Sequence, residues 1–227
     1  MKNIRIAIDG PSGAGKSSMA RKLAKKLGIA HLDTGAMYRA VACVCREQEI
    51  TPDEEERIIS ILPSLNMEIL FKDEGQETWV NGKNLTPYLA DHDISMLASS
   101  ISKIAEVRKW LVKQQQEIAR ENSIILDGRD IGTVVLKDAE IKFFLTASPE
   151  VRAKRRHKEL EAKGQTISYA EVLEDIKARD HQDSTRKESP LKQAEDASLI
   201  DSSDLGPEEV IEKMLHELQR KGLVEEA

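Results

Sequence analysis

Between Gly10 and Ser17 the chain reads Gly-Pro-Ser-Gly-Ala-Gly-Lys-Ser, a full match to G-x-x-x-x-G-K-[ST]. An alternating apolar run (Ile4, Ile6, Ile8) precedes it, and a helical pattern from Lys16 to Leu27, closed by Gly28, follows. Strand, glycine-rich turn and helix in that order make a phosphate cradle. Glycines let backbone N–H groups curl round an anion without Cβ clashes, and the helix turns its positive end to the same anion. In that geometry Lys16 reaches the β- and γ-phosphates of a nucleotide, and the Ser17 hydroxyl ligates Mg2+. Gly10, Pro11, Ser12, Gly13, Ala14, Gly15, Lys16, Ser17 and Ser18 are therefore candidate ligands of the donor nucleotide. The competing explanation is a glycine-rich turn with an accidental lysine. A phosphate loop specifies a nucleotide and not a chemistry. A switch GTPase would need Asn-Lys-x-Asp and Asp-x-x-Gly, and neither occurs, so a kinase of small molecules is favoured.

Two further clusters could complete such a site. Asp33-Thr34-Gly35-Ala36-Met37-Tyr38-Arg39 sets a hydroxyl and an arginine about a turn apart at a helix start, a geometry that suits a second phosphate. An ordinary turn and cap would read the same way. Ile124-Ile125-Leu126-Asp127-Gly128-Arg129-Asp130 places two carboxylates and an arginine at the end of a buried strand. Open α/β sheets bind ligands at such strand ends, and arginine can fork onto phosphate.

The elements that must hold these clusters alternate. Ala30 to Leu32 is a second strand, with Thr34 expected to cap the next helix, and Thr51-Pro52 repeats a helix start with proline at the first position. Leu65 to Leu85 alternates differently and contains Asn81-Gly82, a strong hairpin turn, so a small antiparallel sheet is expected there. Helical periodicity runs from about Asp91 to Arg120, strands follow at Ser123 to Leu126, Ile141 to Leu145 and Ser198 to Ile200, and Pro149 to Lys192 is charged and mostly helical. The last helix begins after Gly206-Pro207. Strands alternating with helices imply an α/β fold with a parallel sheet covered on both faces.

The 227 residues fit one domain with insertions, and the net charge of −6 argues against a nucleic-acid binder. No apolar run approaches the length of a membrane span, and the N-terminus lacks a leader pattern, so a cytoplasmic, unprocessed chain is expected. Cys43 and Cys45 point different ways on a helix and read as buried small hydrophobes. The five histidines show no zinc spacing.

Together these stretches resemble the bacterial type of cytidylate kinase, from the phosphate loop to the last helix. The likeness rests on Ile8 to Ser17, Thr34 to Arg39, Asp127 to Val135, and Arg179-Asp180 with Asp183 and Arg186. It implies phosphorylation of CMP and dCMP by ATP with Mg2+, with a same-fold kinase of another monophosphate such as UMP as the alternative. A non-catalytic nucleotide-sensing or RNA-binding module is the reading from another class, and the acidic balance and the intact Lys16/Ser17 pair weigh against it. Carried over by position, Thr34, Arg39, Arg129 and Arg186 hold the CMP phosphate, and Tyr38 is a further CMP-binding residue. Ser99, Arg108 and Asp130 read cytosine, and Arg179 with Asp183 holds the sugar. Arg152, Arg155 and Arg156 look like a lid over the ATP phosphates, and Lys16, Asp127, Arg129 and Arg155 form the catalytic set. A solvated basic helix face is the plainer reading of the three lid arginines. The resemblance also implies a phosphate-loop core (1–35 and 113–227, with a lid at about 149–166) and a monophosphate-binding insertion (36–112, its small sheet at about 65–86). A monomer that binds neither nucleic acid nor membrane is expected.

Overall fold

Ile6, Ala7 and Ile8 are fully buried, as befits a strand paired on both sides and covered on both faces. They belong to β1 (Arg5–Asp9), the centre of a five-stranded sheet in the computed structural model, which describes residues 3–72, 75–162 and 164–225. Positions 1–2, 73–74, 163 and 226–227, parts of the expected core, small sheet and lid, lie outside the described residues.

The elements run α1 (Lys16–Leu27), β2 (Ala30–Asp33), α2 (Thr34–Glu47), α3 (Glu55–Ile61), β3 (Met67–Lys72), β4 (Gly75–Val80) and β5 (Lys83–Asn84). Then come α4 (His92–Ile101), α5 (Ala105–Glu121), β6 (Ile124–Gly128), a π-type turn over Ile131–Val135, and β7 (Ile141–Thr146). The chain ends with α6 (Pro149–Ala162), α7 (Tyr169–Thr185), β8 (Ser198–Asp201) and α8 (Pro207–Arg220). The large sheet has the order β2-β6-β1-β7-β8, and every pairing in it is parallel. Its register sets Asp33 beside Asp127 and Asp9 beside Gly128, so the carboxyl ends of three strands finish level.

Side chains alternate across that sheet. Ala7, Leu32, Ile124 and Leu126 face a cluster with Met37, Ala40 and Val41 of α2 and Leu111 of α5. Ile6, Ile8, Ile125, Phe143 and Leu145 face the other way, onto Met19, Ala20 and Leu23 of α1 and onto Val210, Ile211 and Met214 of α8. The first cluster continues through Val80 of β4 and Ile94 of α4, so the small-sheet region shares one core with the large sheet. In the small sheet, Asn81 (φ 49°) and Gly82 (φ 77°) both take the left-handed conformation a two-residue hairpin needs, and Val80 pairs with Lys83. Cys43 and Cys45 are free and buried, and burial pushes both thiols up to about 11.

Three local expectations are corrected. Asp33, not Thr34, caps α2, its carboxylate accepting from Ala36 N at 3.0 Å, because the Thr34 hydroxyl is drawn across the sheet to donate to Asp127 O at 2.7 Å. Helix α3 starts at Glu55 and not at Pro52. The Thr51 backbone N–H and hydroxyl both donate to Glu54 Oε2, at 2.8 and 3.0 Å, closing a separate turn first. The helical stretch expected from Asp91 to Arg120 breaks over 102–104 into α4 and α5, and Arg108 donates back to Ser102 O at 3.3 Å.

Candidate active site

Gly10 begins the phosphate loop where backbone must touch backbone. A Cβ there would lie 1.9 Å from Leu145 O, and its φ of +147° suits only glycine. Gly15 (φ +88°) then turns the chain into α1. Lys16 Nζ donates to Pro11 O at 2.8 Å, folding the lysine back over its own loop. Burial, helped by the nearby Arg129 cation, pushes its ammonium down to about 7. A buried cation so disfavoured gains from an arriving anion.

Ser17 Oγ donates to Asp127 Oδ2 at 2.6 Å, and His31 Nε2 meets Asp127 Oδ1 at 2.7 Å. A hydroxyl and a carboxylate side by side are hard oxygen donors of the kind Mg2+ takes when substrate phosphates supply its other ligands. Among the described residues no cluster of three or more His, Cys, Asp or Glu could hold a metal by itself.

Helix α6 supplies the expected lid arginines, and they part company. Arg155 donates to Ser202 O (2.7 Å) and Ser202 Oγ (3.1 Å), and Arg156 lies 3.3 Å from Glu159; both line the cavity. Arg152 is 2% exposed and does not line it. Its guanidinium forks onto Asp180 (3.0 and 2.6 Å) and donates to Ser12 O (3.0 Å) and Ala147 O (2.8 Å). The face of α6 that carries Arg152 packs on the phosphate loop, so this arginine braces the loop from behind.

The opposite half of the cavity is built from α2, α4, α5, the end of β6 and α7. Arg39 pairs with Asp33 at 2.8 Å, and Arg108 with Asp130 at 2.5 Å, the second pair almost wholly buried. The Arg108 guanidinium lies 5.6 Å from the centre of the Tyr38 ring, and burial pushes the Tyr38 phenol up to about 12, so it stays a neutral donor. Arg129 donates to Asp183 Oδ2 at 2.8 Å and Arg186 to Asp183 Oδ1 at 3.3 Å. Burial works to raise the Asp183 carboxyl, but the two arginines outweigh it and hold it below the usual range. Arg179 Nη2 lies 2.9 Å from Met96 Sδ, and Ser99 accepts from Gln182 Nε2 at 2.8 Å (O) and 3.1 Å (Oγ).

Four buried guanidinium nitrogens in this half, Arg39 Nε, Arg108 Nε, Arg179 Nε and Arg186 Nη2, have no hydrogen-bond partner among the described residues. Buried donors are seldom left so. All four arginines line a single cavity of about 760 Å³ that also contains Ser12 to Met19 of the phosphate loop. One end is therefore prepared for a triphosphate and the other for a second anion. Sequence reasoning did not single out Asp9, His31, Asp33, Gln182 or Ser202 as site residues. Asp33 could have been found as the acid beside the cap; the others show their role only once the strand order is known.

A family model described as cytidylate kinase matches residues 6–220. The cytidylate kinase of Caldicellulosiruptor bescii is 50% identical over 215 residues, 95% of each chain. That of Carboxydothermus hydrogenoformans is 48% identical over 218 residues, covering 96% of this chain and 98% of the relative. Among solved structures, an uncharacterized protein from Eubacterium ventriosum matches with a TM-score of 0.54 at 14% identity, over 96% of this chain and 99% of that one, a likeness of fold alone.

Proposed function

The chain belongs to the cytidylate kinase family, and we propose that it transfers the γ-phosphoryl group of ATP to CMP and dCMP, yielding ADP with CDP or dCDP. The observation that carries this reading is the cavity itself, with a phosphate loop at one end and four unsatisfied arginines at the other. No observation favours UMP as the natural acceptor.

The acceptor is a phosphate monoester whose second pKa is about 6, so at pH 7 it is mostly a dianion and already a nucleophile. No general base is required of the protein. Its task is to bring donor and acceptor in line and to neutralise charge. Residues Gly10 to Ser18 hold the ATP phosphates, and Lys16 moves from Pro11 O onto the β- and γ-oxygens. Mg2+, held by Ser17 and Asp127, would supply further neutralisation of the phosphate charge. Arg155 and Arg156 close over the donor phosphates. Thr34, Arg39, Arg129 and Arg186 receive the CMP phosphate, with Tyr38 beside them. Ser99, Arg108 and Asp130 read the base, while Arg179 and Asp183 hold the sugar.

Residues 36–112 act as the monophosphate-binding insertion and about 149–166 as the lid, closing so that water does not take the phosphoryl group. The protein acts as a cytoplasmic monomer without a nucleic-acid partner. The net charge of −6 supports the absence of a nucleic-acid partner, and no helix among the described residues is long and apolar enough to cross a membrane. The test is a coupled assay with Mg-ATP and CMP, dCMP, UMP or AMP. Efficient turnover of CMP and dCMP is expected, and comparable kcat/KM for UMP or AMP would overturn the assignment.

A further inference from the structure

Asp9, 3% exposed, ends the central strand just before the phosphate loop. Its two oxygens accept the consecutive backbone N–H groups of Ile131 (2.8 Å) and Gly132 (2.7 Å). These residues open the π-type turn that follows Arg129 and Asp130 without a break. The turn then closes on Asp130 itself, whose carbonyl accepts from Val134 N at 2.8 Å and Val135 N at 3.2 Å. The approach is close: a Cβ on Gly132 would stand 3.3 Å from Asp9 Oδ2 and 3.0 Å from Lys142 Cδ.

The strand that carries Asp9 does not need this carboxylate, because Asp9 is already paired in register with Gly128 on one side and Phe144 on the other. Nor does the phosphate loop, which has its own ties from Lys16 to Pro11 O and from Arg152 to Ser12 O. The segment that does depend on it leaves the sheet at Gly128 and carries Arg129, bonded to Asp183, and Asp130, bonded to Arg108. A buried ionised group is costly unless well hydrogen-bonded, and charge-assisted bonds to N–H are the strong kind. We infer that Asp9 is a positioning residue for the acceptor nucleotide: it fixes the backbone of the Arg129–Gly132 segment, and so the aim of Arg129 and Asp130. The inference rests on the acceptor half of the function proposed above.

Asp9→Asn keeps the shape but has one acceptor oxygen, so one N–H bond is lost and an amide donor faces the other N–H. Isothermal titration of the full chain with CMP and, separately, with ADP reads the two halves of the site. The variant is expected to bind CMP about tenfold more weakly while its ADP affinity stays within about twofold, with KM for CMP rising in parallel and KM for ATP unchanged. Gly132→Ala keeps the carboxylate and crowds the turn against Lys142 Cδ (3.0 Å) and Asp9 Oδ2 (3.3 Å); the same selective loss is expected, and this variant decides the matter if Asp9→Asn does not fold. Unchanged CMP affinity, or equal losses for CMP and ADP, would overturn the inference. Wild-type protein that neither binds nor phosphorylates CMP would instead overturn the proposed function.

Discussion

Ser17 Oγ and Asp127 Oδ2 stand 2.6 Å apart although 110 positions separate the two residues in the chain. The parallel pairing of β1 with β6 brings them together, since it lays the strand end at Asp127 against the start of α1. His31, on the neighbouring strand β2, holds the other Asp127 oxygen at 2.7 Å and thereby leaves Oδ2 aimed at Ser17.

A residue that orients a metal-binding carboxylate typically matters by about 10–100-fold in metal affinity. His31→Leu is therefore expected to weaken Mn2+ binding in the presence of ADP, read by electron paramagnetic resonance, by about tenfold. His31→Gln, whose side-chain amide can donate from a similar reach, is expected to restore most of it. Equal affinity in wild type and His31→Leu would show that Asp127 needs no such support.

Lys16 tests the donor end. Its ammonium donates to Pro11 O of its own loop, whereas Arg39 pairs with Asp33 and Arg108 with Asp130. Lys16→Ala is expected to lower kcat by about 10²–10³ with CMP affinity nearly unchanged, as for other removed charge stabilisers. More than half of wild-type turnover at saturating Mg-ATP would contradict the role of the loop.

The Asp9 carboxyl also has a signature in stability. Burial raises it from 3.8 to about 6 against the opposing N–H bonds of Gly132 and Ile131, with the Asp130 charge adding to the rise and Lys16 reducing it. The folded state thus holds this proton more tightly than the unfolded chain. The penalty for ionising it, about 3 kcal/mol, is fully present above pH 6 and is relieved as the pH falls toward 3.8. Asp9→Asn lacks this contribution. Urea midpoints of wild type minus variant, measured from pH 6.5 down to pH 4, are expected to shift in favour of the wild type; a constant difference would mean that Asp9 titrates normally.

What could be read in advance was short-range or chemically explicit. The phosphate loop declares itself through glycines whose positive φ is needed where they stand, and Asn81-Gly82 through its hairpin conformation. The arginines could be named, but not what covers them. The spacing of Arg152, Arg155 and Arg156 says that they share a side of α6, whereas the burial of Arg152 against Asp180 depends on where α7 packs. Asp33 and Thr34 can both cap a helix, and the choice between them is made by Asp127 O, 93 positions beyond Thr34. His31 and Asp9 acquire their partners only through the order β2-β6-β1, which no local pattern encodes.

In the function proposed above base choice falls to Arg108 and Asp130, which are buried together at 2.5 Å, the Arg108 guanidinium 5.6 Å from the centre of the Tyr38 ring. Arg108 takes Asp130 Oδ2, and the carboxylate keeps lone pairs with which to accept from the 4-amino group of cytosine. Uracil presents a carbonyl oxygen at that place, so two acceptors would be opposed out of water. Sites that hydrogen-bond a substrate group can reject the mismatched analogue by ~10⁴ or more, while one neutral bond is worth only about 0.5–1.5 kcal/mol. UMP is therefore expected to be a very poor substrate. Asp130→Ala would leave the Arg108 charge buried and unpaired, at a cost of about 3–5 kcal/mol, and would confound recognition with unfolding. Asp130→Asn avoids this, because its carbonyl oxygen still accepts from Arg108 and its amide can turn a donor toward the base. It is expected to narrow the CMP to UMP ratio of kcat/KM by at least about 100-fold, mainly through loss of CMP, with its melting temperature checked alongside. An unchanged ratio in a folded variant would mean that Asp130 orients Arg108 and does not itself read the base.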